Sequence, residues 1–210
     1  MKYIVVIGDI VSSRKVTQRS RLQHQLKATL DTLNRKKVRG AVSPYTITLG
    51  DEFQAVFTQA DTLFSHAAEI LLALHPVKAR FSFGIGEIET PINRRQAIGM
   101  DGPAFHEARL GLEELKSRKS LFAVRGLQRP ATGLIAPSLD LVSHLCVDWK
   151  RSRLKVFAML LQRTPVKAIA ASTGMTDKAV YKSIGAGGLH IIQRIDNQIV
   201  AAINSEVTGK

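Results

Sequence analysis

One cysteine, one tryptophan and no long apolar run define this chain first by what they exclude. A lone Cys146 among 210 residues cannot build an intramolecular disulfide framework, which suits a reducing compartment. Cys146 lies in an apolar helical pattern and reads as buried packing rather than as a nucleophile. No apolar stretch approaches the roughly 20 residues that cross a bilayer. The apolar run near Met1 is very short and contains Asp9, unlike a signal peptide. Together these features predict a soluble, cytoplasmic protein with no membrane partner.

Acidic residues are scarce as well. There are 17 Asp and Glu against 30 Lys and Arg, a formal charge of +13 and a pI near 10.2. The imbalance grows along the chain: Trp149–Lys210 holds 10 basic against 3 acidic residues, and the preceding residues hold 20 against 14. Excess charge of this size points to a polyanionic partner, most often nucleic acid, without identifying which one. Apolar residues make up 45% of the chain, enough for a full core, and no internal repeat or low-complexity segment is evident.

What is present is a regular alternation of strand and helix patterns. The β-branched run Tyr3–Val11 carries Asp9 near its end. A helix of about twenty residues follows Ser12-Ser13-Arg14, with Leu22, Leu26, Leu30 and Leu33 on one face. Tyr45–Leu49 and Gln54–Phe57 flank Gly50-Asp51-Glu52-Phe53 and read as a β-hairpin. Asp61 is placed to cap a second helix carrying Leu63, Ala67, Ile70, Leu71 and Leu74, which Pro76 stops. Ala79–Ile85 is a third strong strand, in which Gly84 and Gly86 suggest close backbone approach to something. A helix over Pro103–Lys119 and a short strand at Leu121–Val124 complete the series. This order predicts an α+β domain, an antiparallel sheet with helices on one face. Leu139–Gln162 is apolar, broken by Lys150-Arg151-Ser152-Arg153, and reads either as two helices or as one long one.

Two chemical features stand out. If the hairpin lies beside the first strand, Asp9, Asp51 and Glu52 meet at one edge of the sheet. Converging carboxylates suit Mg²⁺, a hard cation often shared with substrate phosphates. Near the C-terminus, Pro165 starts a short helix, Gly174 supplies a turn, and Thr176 caps a second helix. Ala170, Gly174 and Val180 have helix-turn-helix spacing. Thr176, Asp177, Lys178, Tyr181 and Lys182 then fall on the outward face of a DNA-recognition helix. A last helix, from about Leu189 to Ile203, carries an apolar stripe that either packs on this module or pairs with a second copy. A homodimer suits symmetric DNA reading.

Ile7-Gly8-Asp9-Ile10-Val11-Ser12-Ser13-Arg14, Gly50-Asp51-Glu52-Phe53-Gln54 and the stretch from Met100 to Arg109 resemble the SatD family of bacteria over nearly the whole chain. That family is named for an association with acid tolerance. More distantly, the N-terminal part resembles the ferredoxin-like palm domain of nucleotidyl and diguanylate cyclases. The GGDEF-like match is Leu49-Gly50-Asp51-Glu52-Phe53, with Leu49 where the first glycine would stand. This resemblance implies Asp9, Ile10 (through its carbonyl), Asp51 and Glu52 as metal ligands, with Asp9, Asp51 and Glu52 as catalytic candidates in an active cyclase. It implies Ser12, Ser13, Arg14, Gly50 and Arg109 at a nucleotide's phosphates. Arg109 has a plainer reading too, an exposed helix residue paired with Glu113 at i+4. His106 reads as a satisfied helix histidine. The class III cyclase pattern has Asn and Arg four apart on this helix; here His106 and Arg109 are three apart.

The resulting organisation is a palm-like domain over 1–136, a helical connector over 137–162, and a helix-turn-helix module with a C-terminal helix over 163–210. The first functional reading is a DNA-binding regulator whose palm-like domain binds a nucleotide or Mg²⁺ as a signal. The alternatives are an Mg²⁺-dependent cyclase-type enzyme acting on nucleoside triphosphates, and a non-catalytic scaffold.

Overall fold

The computed structural model describes residues 1–13, 16–128 and 133–209. In chain order these form β1 (Tyr3–Ile10), α1 (Arg19–Arg35), β2 (Ala41–Leu49), β3 (Glu52–Phe57), α2 (Leu63–Leu74), β4 (Ala79–Gly86), α3 (Pro103–Arg118) and β5 (Phe122–Arg125). Then come α4 (Ile135–Cys146), α5 (Arg151–Leu161), α6 (Val166–Thr173), α7 (Asp177–Ala186) and α8 (Leu189–Thr208). Among the described residues no helix is long and apolar enough to cross a membrane.

The strands form one sheet in the order β2-β3-β1-β4-β5. β1 is central because both its faces are apolar. Ile4 and Val6 point into the larger core with α1 and α2, and Val5 and Ile7 into a second core under α3. A run buried on both sides reads as near-continuous β-branched residues, as Ile4-Val5-Val6-Ile7 does.

Two expectations need correcting. The sheet is mixed, because β5 runs parallel to β4. Helix α3 lies between them in sequence, and a connection that crosses over a sheet face returns the chain in the same direction. The helices also cover both faces, with α3 opposite α1 and α2. The apolar stripe of α3, including Ala104, Phe105, Ala108 and Leu112, needs its own sheet face to bury against. Gly84 makes that possible, since a Cβ there would stand 2.2 Å from the Ala104 carbonyl oxygen and 2.3 Å from the Ala108 nitrogen. The close approach suggested by the strand glycines is thus to the α3 backbone.

Smaller differences have local causes. Leu139–Gln162 is two helices, with α5 starting inside the basic run. Asp61 does not cap α2, whose N-cap is Thr62; instead the Asp61 carboxylate accepts a 3.4 Å hydrogen bond from Asn204 Nδ2. Asn204 Oδ1 also accepts from the Ala60 backbone N–H at 2.7 Å, and Lys2 pairs with the buried Glu206. These contacts fasten the C-terminal half of α8 to the sheet, while its N-terminal half packs against α5 and α7 through Leu189 and Ile192.

Where α2, α4, α5 and α8 meet, Asp196 lines a small cavity of about 20 Å³ together with Phe64, Phe157, Leu139 and Cys146. Its Oδ1 is buried and has no hydrogen-bond partner among the described residues. Burial pushes the Asp196 carboxyl up from 3.8 to about 7. Between those values the folded protein holds a proton that the unfolded chain has released. Stability therefore falls as pH rises through that window, and the loss is complete above it. Asp196→Asn removes the titration. Its advantage over the wild type, read by urea unfolding, is expected to be small in acid and to reach about 1–3 kcal/mol above neutrality. A wild-type to variant difference independent of pH would contradict this. Buried His66, whose Nδ1 lies 3.3 Å from the Tyr45 hydroxyl, has the opposite effect. Burial pushes it down from 6.5 to about 4, so stability is lost as pH falls through that range.

Candidate functional site

Strand alternation puts Asp9, Glu52 and Arg80 on the α3 side of the sheet. The antiparallel register sets Asp9 directly opposite Glu52 on β3 and opposite Arg80 on β4. The Gly50-Asp51 turn closes the same end, with Gly50 at φ +64°, a conformation glycine adopts at little cost. The Gly50 carbonyl accepts a 3.3 Å hydrogen bond from Gln23 Nε2. The result is a cleft of about 460 Å³ lined by Asp9, Ile10, Ser12, Ser13, Asp51 and Glu52, together with Leu49, Arg80 and Lys116. The first-strand acid and the hairpin acids thus share one solvent-facing opening.

Gly50 shapes the turn rather than the wall, and Arg109 stands beside the cleft on Glu52. Arg14 lies outside the described residues. Ser12 is exposed at φ +55°, whereas Ser13 is buried. His106 pairs with Asp101 at 3.0 Å on the exposed side of α3 and takes no part in the cleft. Phe53, the last residue of the hairpin motif, points to the opposite face and is fully buried against Tyr45 and Phe81. Its role is packing.

Each inner carboxylate is held by an arginine. Arg80 Nη1 donates to both Asp9 oxygens, at 3.2 and 3.1 Å. Arg109 makes a bidentate pair with Glu52, Nη1 to Oε2 at 2.6 Å and Nη2 to Oε1 at 2.9 Å, and Thr48 Oγ1 donates to Oε1 at 3.3 Å. Arg109 is therefore not paired with Glu113, which accepts from Lys116 instead. Glu52 on β3 faces the guanidinium and takes both of its Nη atoms, the bidentate geometry of a strong charge-assisted pair. Burial raises the Asp9 carboxyl above its ordinary value and the charge of Asp51 adds to this, while Arg80 and, more weakly, Lys116 oppose it. The hydrogen bonds to Glu52 raise Arg109 further above its already high value.

These pairings bear directly on the divalent cation. Among the described residues no group of three or more His, Cys, Asp or Glu stands close enough to hold a metal ion. With Asp9 and Glu52 engaged by guanidiniums, the side chains as they stand do not fit Mg²⁺. Three acids and three bases (Asp9, Asp51, Glu52; Arg80, Arg109, Lys116) leave the cleft close to electroneutral.

Arg80 and Lys116 were invisible in the sequence pattern. Arg80 precedes the Phe81-Ser82-Phe83 alternation and gains meaning only once β4 is known to lie beside β1. Lys116 is seven residues after Arg109, two helical turns along the same side of α3, a spacing that carries meaning only once Arg109 is known to stand beside the cleft.

The second surface is on α6 and α7. Gly174, at φ +70°, ends α6, and Thr176 Oγ1 accepts from the Ala179 N–H at 3.2 Å to start α7. Ala170, Val180 and Ile184 are buried between the helices, whereas Thr176, Asp177, Lys178, Tyr181 and Lys182 are all exposed. Tyr181 is 60% exposed, unusual for a large aromatic ring.

A search of curated proteins returns no match. The model of the SatD family matches residues 3–203, nearly the full length, and includes both the cleft and the α6–α7 surface. The chain belongs to the SatD family.

Proposed function

We propose that this protein is a DNA-binding regulator, with α6 and α7 as a helix-turn-helix whose second helix enters the major groove, and with the cleft as the site of a nucleotide-type signal. The observation that carries the reading is the outer face of α7. Lys178, Tyr181 and Lys182 share one side of the helix, and all are exposed. Lysine ammonium groups and a tyrosine hydroxyl are suited to phosphates and base edges, and Thr176 and Asp177 stand at the helix start, where recognition helices meet bases. The +13 charge supports it.

On this reading residues 1–136 form the sensing unit, 137–162 the connector and 163–210 the DNA-reading unit, and two copies bind a two-fold site. The strand order β2-β3-β1-β4 supports a palm-like, ferredoxin-type sensing unit. The guanidinium pairs favour binding over turnover of a nucleoside triphosphate, since the oxygens of both inner carboxylates are already engaged. A signal acts only through different affinity for two states of the protein, and by linkage DNA must then alter ligand affinity by the same factor.

Fluorescence anisotropy with labelled genomic duplexes tests the proposal. The expected result is binding that weakens steeply with salt and is about tenfold weaker in Tyr181→Ala, consistent with loss of a single charge-assisted or base contact. Absence of binding at low salt would overturn it.

A further inference from the structure

The acids of the cleft carry their own cations. Asp9 and Arg80 are only 14% and 15% exposed, and Glu52 is 19% exposed under the Arg109 fork. A divalent cation reaching these carboxylates would have to displace both guanidiniums and leave Arg80 buried without a partner, an arrangement proteins avoid. An anion breaks neither pair, and the charge it has to accommodate is that of Asp51, which among the described residues no guanidinium holds. A guanidinium has five N–H donors, and among the described residues Arg80 uses only Nη1, on Asp9. A phosphate can therefore add to the arginines while their carboxylates remain paired.

We infer that the cleft takes a phosphate-bearing anion without a divalent cation, Arg80 and Arg109 supplying the positive charge that Mg²⁺ supplies in cyclase-type sites. The inference rests on the cleft being a ligand site, as proposed above. It assigns Arg80 and Arg109 two tasks, holding the ligand phosphate and keeping metal out. Leu49, 78% exposed at the hairpin tip where the cyclase motif has glycine, leaves the ligand an apolar edge to lie against.

The experiment uses the full chain with two probes, inorganic triphosphate and Mn²⁺ alone. Triphosphate binding, read by calorimetry, is expected to be the same in chelator as in Mg²⁺. It is expected to weaken about tenfold in Arg80→Gln and in Arg109→Ala, the loss of one charge-assisted contact. The exposed Arg151→Gln serves as the charge-matched control and is expected to bind like the wild type. Mn²⁺, followed by its paramagnetic resonance signal, is expected not to bind the wild type and to gain a site in Arg109→Ala that disappears when Glu52→Gln is added. Arg109 is half exposed, so its removal leaves the fold intact even where Arg80→Gln does not. Triphosphate binding that requires Mg²⁺, or Mn²⁺ binding to the wild type that Asp9→Asn abolishes, overturns the inference and leaves the ligand reading standing. Failure of triphosphate to bind under either condition removes both.

Discussion

Replacing Gly84 by alanine should give a protein that melts far below the wild type or does not fold. The added methyl would meet the Ala104 carbonyl oxygen at 2.2 Å, the Ala108 nitrogen at 2.3 Å and the Ala108 Cα at 2.8 Å. All three belong to the backbone of α3, which cannot step aside by changing a rotamer. Gly84 does not have a positive φ, so the penalty is steric rather than conformational. Overpacking of cores commonly costs about 1–3 kcal/mol, and contact with helix backbone belongs at or above the top of that range. α3 carries Arg109 and Lys116, so displacing it also opens the cleft. The comparison is Gly185→Ala on exposed α7, where the new methyl meets nothing within 4 Å. There the helix gains about 0.5–1 kcal/mol. Urea unfolding of both variants checks the pair, and a Gly84→Ala protein within about 1 kcal/mol of the wild type would show that α3 does not sit where described.

The second large effect concerns DNA. The triple variant Lys178→Ala, Tyr181→Ala, Lys182→Ala is expected to lose about a hundredfold or more in affinity, since each good contact contributes about 1–3 kcal/mol. Its stability is expected to stay within about 0.5 kcal/mol of the wild type because all three side chains are exposed. Circular dichroism melts and anisotropy on the same samples separate the two. Affinity unchanged by the triple substitution would move the DNA contact to another surface.

Much of this architecture could be read from local pattern. The leucines at 22, 26, 30 and 33 are buried on α1, the Gly50-Asp51 turn joins β2 to β3, and Gly174 with Thr176 separates α6 from α7. In each case the information lies within a few residues, in a period or a turn conformation. The misread parts depended on contacts remote in sequence. The parallel β5 follows from where α3 buries its stripe, which period alone does not reveal. The partner of Arg109 is 57 residues away, across the sheet, whereas pattern offered only its i+4 neighbour Glu113. Arg80 acquires its role from a strand register joining it to Asp9, 71 residues earlier. Sequence spacing thus located the acids of the cleft, and tertiary pairing determined their partners.

If α7 docks on DNA as proposed, it does so by neutralising phosphates. The most direct measurement is the affinity of the wild-type protein for duplex DNA across a range of salt concentrations. The expected result is a straight line of log K against log salt that falls by about 0.9 for each phosphate contacted, and a slope shallower by about two units when Lys178 and Lys182 are both replaced by alanine. A wild-type line without slope, or the same slope in the double variant, would contradict it.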